Sequence, residues 1–211
     1  MIKHILHVTA VACLAFVATP AAKADLLFTG SSAAGLCCFN VQLHTVSSTD
    51  VNVTVTLTSG ATVFVNTGNG TNHPGFAFDL NGAAITSANI FNATNLGAFN
   101  VGPDTTGGPA LGTFDYTFDN LDKGGSGGNS GPLSFDVVRG TGVVLTDFTT
   151  ANNLGYYFAA DIMNSAGGTG ESGINVGGTV VGGSVPEPAS ILLLGTVALG
   201  LIGARRFRSN S

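Results

Sequence analysis

Val51-Asn52-Val53-Thr54-Val55-Thr56-Leu57-Thr58 sets Val51, Val53, Val55 and Leu57 in strict alternation with Asn52, Thr54, Thr56 and Thr58. Successive side chains of a strand point to opposite faces, so this stretch carries one apolar face and one face of amides and hydroxyls. It reads as a half-buried strand. Ser59-Gly60 supplies a turn, after which Ala61 to Asn66, with Val63 and Val65, is expected to return as a hairpin partner. Phe76, Phe78 and Leu80 repeat the alternation ahead of Asn81-Gly82, a dipeptide suited to a tight turn with positive φ. Phe114, Tyr116 and Phe118 share one face of Thr113 to Phe118, and Leu133, Phe135 and Val137 share one face of Leu133 to Val138. Val143 to Phe148 and Tyr156 to Ile162 complete the predicted strands. Gly102 to Gly112 and Gly124 to Gly131 read as loops, and Ser165 to Ser184 as a flexible stalk or a weak final strand.

Short strands separated by Gly, Asn, Pro and Thr predict an all-β fold, a single β-sandwich or jelly-roll-like domain over residues 25–164. A body of this size suits one such domain. With no tryptophan in the chain, phenylalanine is expected to supply most of the core.

Both ends carry the marks of targeting. Lys3, the apolar run from Ile5 to Ala18 and the Ala22-Lys23-Ala24 site before Asp25 predict a secretory signal peptide over residues 1–24. Cys13 lies inside the apolar run rather than at its end, unlike a lipoprotein signal. At the other end, Val185-Pro186-Glu187-Pro188 precedes an uncharged run over residues 189–204 and then Arg205, Arg206 and Arg208. As a helix that run reaches about 24 Å, against about 30 Å of hydrocarbon. The arginines can snorkel to the headgroups and hold the C-terminus cytoplasmic, with the bulk of the chain outside. Pro186 and Pro188 lack amide donors and leave an extended segment at the membrane face.

This tail, box then helix then arginine cluster over residues 185–208, resembles the PEP-CTERM sorting signal of Gram-negative bacteria. The resemblance implies sorting by an exosortase after signal peptidase has acted, an inner-membrane precursor, and a final place at the cell surface or in the extracellular matrix. Because proteins with this tail look like a group found in exopolysaccharide-secreting bacteria, it also implies a matrix setting with exopolysaccharide as a partner. It covers only the tail and carries no activity to the body.

Without the two targeting ends the body is strongly acidic. Of seven lysines and arginines only Lys123 and Arg139 lie within residues 25–185, against eleven of the twelve acids, a net charge of −9. So few cations leave no basic patch for nucleic acid or an anionic membrane, and point instead to cations or neutral polymers as partners.

The body keeps two cysteines, Cys37 and Cys38. Adjacent Cα atoms lie about 3.8 Å apart, below the usual disulfide separation, so a vicinal bond is strained. Two thiols on opposite strand faces, a strained vicinal disulfide and an intermolecular bridge all remain open.

Asp115, Asp119 and Asp122 lie within eight residues and make calcium the ligand hypothesis of the chain, although the spacing is not an EF-hand and a solvated strand face explains it as well. Asp161 and Glu171 flank a turn, where the same argument is weaker. Gly124 to Gly128 matches G-x-S-x-G without the strand and helix that a nucleophile elbow needs, and Gly124 to Asn129 is one imperfect copy of a calcium-repeat motif. His44 and His73 have no zinc-ligand spacing. Sequons stand at Asn52, Asn69 and Asn92, of which Asn52 has an acid, Asp50, two residues before it. No catalytic set emerges, so the expectation is a non-enzymatic structural or adhesive surface protein, with a calcium- or glycan-binding module and then a secreted hydrolase as alternatives.

Overall fold

The computed structural model describes residues 25–29, 39–65, 74–105, 111–120, 128–176 and 179–183. In chain order the strands are β1 Asp25–Thr29, β2 Phe39–Ser47, β3 Asp50–Leu57, β4 Ala61–Phe64, β5 Phe76–Phe78, β6 Ile90–Thr94, β7 Leu96–Thr105, β8 Thr113–Asn120, β9 Leu133–Val138, β10 Tyr156–Asn164, β11 Thr169–Asn175 and β12 Thr179–Gly183. One antiparallel sheet runs in the order β12-β1-β2-β3-β9-β6 and the other in the order β11-β10-β5-β8-β7, with β4 pairing β10. The predicted alternation becomes burial: Val51, Val53 and Val55 of β3 and Leu133, Phe135 and Val137 of β9 are buried, while Asn52, Thr54 and Ser134 between them face outward.

The two sheets share one apolar core. Phe135 of the first sheet meets three rings of the second, Phe76 at 6.1 Å, Phe78 at 5.5 Å and Phe118 at 4.6 Å between centroids. Phe28 of β1 packs edge-on against Phe158 of β10 at 4.9 Å. Offset and edge contacts of this kind add to the burial of apolar area, so the aromatic faces hold the layers together.

Several expectations are corrected. β3 and β4 do not close a hairpin: Ala61 N–H bonds back to Thr58 O, but β4 then joins β10 in the other sheet. The reason is that β3 already has both edges filled, by β2 and β9. Gly82 has the predicted positive φ of 92°, in a turn that leads from β5 in one sheet to β6 in the other. Val143 to Phe148 is not a strand but contains a 3-10 turn over Leu145–Thr149 that buries Phe148. Its entry is fixed by Asp147, whose carboxylate accepts the Val144 N–H at 3.1 Å, a local bond that alternation does not register. β7 extends through Thr105, into the stretch expected as a loop from Gly102, and residues 165–184, expected as a stalk or a weak final strand, supply two strands, β11 and β12.

Arg139 is the single lysine or arginine among the described residues, and it is buried. Its guanidinium donates to Gly142 O at 2.6 Å, Asn81 O at 2.7 Å and Ala83 O at 3.2 Å, and pairs with the Asp147 carboxylate at 2.5 Å. A planar fork of donors is suited to several acceptors in fixed directions, so one side chain ties together the turn after β5, the turn after β9 and the 3-10 segment.

Phe135→Ala should cost about 3–5 kcal/mol, as for other buried aromatics, because it empties the contact between sheets. Phe91→Ala, at a side chain 50% exposed on β6, should cost under about 1 kcal/mol. Urea titration of the two variants checks this, and equal losses would contradict the assigned role of Phe135.

Candidate functional site

The outward face of the first sheet is built largely from directly opposed polar residues, with Phe91 and Leu27 at the ends of two rows. One row runs Asp25, His44, Asn52, Asp136 and Phe91 across β1, β2, β3, β9 and β6; the next runs Leu27, Gln42, Thr54, Ser134 and Thr94. Thr29, Asn40 and Thr56 form a third. Asp136 is the hub: it accepts from the Asn52 amide at 2.6 Å and from the Asn92 amide at 2.5 Å, while the Thr54 hydroxyl donates to Asn52 Oδ1 at 3.0 Å. Asn92 reaches the hub from a left-handed backbone position, φ 51°, which asparagine tolerates better than most residues. Gln42 and Thr56 stand exposed on the same face.

At one corner of this sheet the two ends of the body meet. Asp25, the first residue of β1, is in register with Gly183, the last of β12, and with His44 on its other side. The Asp25 carboxylate is hydrogen-bonded to His44 Nδ1, and both side chains are 40% exposed. Residues 24–183 form one compact unit, so its limits fall at the predicted signal-peptide cut and at the start of the tail.

The sequence-predicted sites are placed as follows. Ala22, Ala24, Cys37, Cys38, His73, Asp122, the box Val185 to Pro188, the helix over 189–204 and Arg205, Arg206 and Arg208 lie outside the described residues. Among those described, no helix is long and apolar enough to cross a membrane. Asp115 and Asp119 sit four residues apart on β8, about 13 Å at the strand rise, too far for one ion to ligate both. Asp119 instead accepts from the Asn100 amide at 3.0 Å. Among the described residues no three His, Cys, Asp or Glu side chains are grouped to hold a metal ion. Asn129, in the aspartate place of the calcium-repeat motif, uses its side chain internally, donating to Asn95 O and accepting Gly131 N–H. Asp161 and Glu171 are brought directly opposite each other on β10 and β11, both buried. The Asn52 sequon lies mid-sheet with its amide nitrogen committed to Asp136 and, at 3.3 Å, to Ser134.

Sequence reasoning missed Asp79. It follows β5, is buried, and accepts the Asp115 N–H at 2.7 Å. Burial raises its pKa from 3.8 to about 6; the Asp115 amide bond opposes that shift and the Asp115 charge adds to it. The folded state therefore binds a proton that the unfolded chain gives up, and between those two values stability falls as pH rises. Asp79→Asn keeps an acceptor for Asp115 and removes the charge. It should raise stability at neutral pH by about 1–3 kcal/mol and make no gain below about pH 4, read from melting temperatures across pH. A gain that does not vary with pH would contradict this assignment.

Residues 184–208, which follow directly from the end of β12, match the model of the PEP-CTERM protein-sorting motif. No curated protein and no solved structure matches the chain. The chain thus carries at its C-terminal end the signal of an exported, exosortase-sorted protein.

Proposed function

We propose that the mature protein is a non-enzymatic structural or adhesive component of the cell surface or extracellular matrix of a Gram-negative, exopolysaccharide-producing bacterium. The observation that carries the reading is the junction at Gly183. The last strand of the folded unit ends one residue before the sorting motif begins, so the tail can be removed without cutting into either sheet. Signal peptidase acting before Asp25 would likewise leave β1 whole. In this account signal peptidase and exosortase act in turn on an inner-membrane precursor, and the folded body is what they deliver.

The outward face of the first sheet favours a neutral, hydroxyl-rich polymer as its partner, which makes glycan recognition the second reading. Asn40, Gln42, Thr54, Thr56 and Ser134 offer amide and hydroxyl groups in rows whose neighbours stand about 4.8 Å apart from strand to strand. Arg139, buried and paired, adds no cationic head group to that face.

Glu187→Ala should leave the precursor in the inner membrane with its tail intact, whereas the native protein reaches the surface fraction as a shorter species. Intact mass and fractionation read this, and normal release of the variant would sink the sorting account. For the glycan reading, Gln42→Ala with Thr56→Ala should weaken retention on neutral polysaccharide several-fold at unchanged melting temperature; equal retention would remove that face from the interaction.

A further inference from the structure

We propose that Asn81 is a self-modification site at which the folded protein promotes its own deamidation, with the Arg139 guanidinium polarising the reacting peptide bond. The turn at Asn81-Gly82 is exposed, yet its main chain is held on both sides. Asn81 N–H donates to Asp147 O at 2.8 Å, and Asn81 O accepts from Arg139 Nη1 at 2.7 Å. Gly82 N lies 2.9 Å from Asn81 Oδ1, which puts it no more than about 4 Å from the side-chain carbonyl carbon Cγ.

That nitrogen is the nucleophile of deamidation. It loses its proton to solvent base, its electron pair forms a bond to Asn81 Cγ, and the Cγ–Nδ2 bond breaks with release of ammonia. Water then opens the five-membered imide at one of its two carbonyls, leaving aspartate or isoaspartate at position 81. The negative charge on the deprotonated peptide nitrogen is shared with Asn81 O, the atom that Arg139 holds. A cation 2.7 Å from the oxygen where charge develops stabilises that step as an oxyanion donor does.

Glycine is required at 82 on two counts, a φ of 92° and an Arg139 Nη1 that would lie 2.9 Å from an added Cβ. The fold therefore supplies the least hindered nucleophile beside Asn81 for a structural reason. The product has a consequence at the same place. A new carboxylate competes with Asp147 for Arg139, and in the isoaspartate form the main chain runs through Cβ and Cγ, so that the former Asn81 carbonyl held by Arg139 becomes a free carboxylate no longer in line with Ala83 O. The contacts of Arg139 with the turn after β5 are thereby changed irreversibly.

The test follows the mass gain of about one dalton by peptide mapping of the full-length protein in mildly alkaline buffer, folded and in concentrated urea. Asn69-Gly70, the same dipeptide elsewhere in the chain, serves as comparator. Asn81 should react about threefold to tenfold faster in the folded protein than in urea. Arg139→Lys should bring the folded rate at Asn81 towards the urea rate and leave Asn69 unchanged. A folded rate at or below the urea rate overturns the proposal, as does a folded Arg139→Lys protein in which both sites respond alike. If that variant does not fold, the folded-against-urea comparison on the native sequence decides alone.

Discussion

The ring of Phe135 against Phe76, Phe78 and Phe118 is the contact on which this fold depends. The chain repeatedly leaves one sheet for the other, after β3, β5, β6, β8, β9 and β11. Each crossing commits a segment to a place that neither sheet ladder can fix by itself. Burial of phenylalanine between the layers sets the separation of the sheets, and the turns then have only to span it. The sharpest crossing shows how little chain is needed: Asn95, at φ 60°, is the one residue between β6 and β7, and its amide donates to Pro132 O at 2.9 Å.

Arg139 is the polar counterpart of that core. Burying a guanidinium is costly unless its donors are met, and here main-chain carbonyls and the Asp147 carboxylate meet them. The carbonyls belong to turns that would otherwise leave acceptors unpaired next to the core. A single charged residue thus does for three loops what hydrogen-bond ladders do for the strands. The arrangement also accounts for Gly82, since the space above it is occupied by the guanidinium.

How much of this was legible in the sequence depended on the range of the force at work. β3 and β9 are legible because half-burial imprints a period of two on consecutive residues; on β8 the buried Thr117 breaks that period, and Phe114 packs with Ala77, Leu111 and Ala159 apart from Tyr116 and Phe118. β2 carries the same imprint in Phe39, Val41 and Leu43. The partner of β4 was not legible: hydrophobic alternation in Ala61–Phe64 fits either sheet, and only the occupancy of both edges of β3 excludes the hairpin. The 3-10 turn at Leu145–Thr149 was hidden for a similar reason, because Val143, Leu145 and Phe148 mimic a strand while Asp147 answers to Arg139 eight residues earlier. At the sites, the tail was legible because its box, apolar run and arginines are contiguous. The Asp136 hub joins Asn52 and Asn92 across β3, β9 and β6, which only register brings together.

The same register gives the corner at Asp25 and Gly183 its mechanical character. β12 is an edge strand held by β1 alone, through five consecutive pairs from Asp25↔Gly183 to Thr29↔Thr179. A load applied at Gly183 falls first on the outermost of those pairs. Peeling from that end breaks bonds one at a time rather than together. What opposes it lies on the far side of β1, where Asp25 is tied to His44 and all five residues of β1 pair with β2. The sheet behind the corner is therefore anchored independently of β12, and the edge strand can yield without exposing Phe28 and the core beneath it to the same pull.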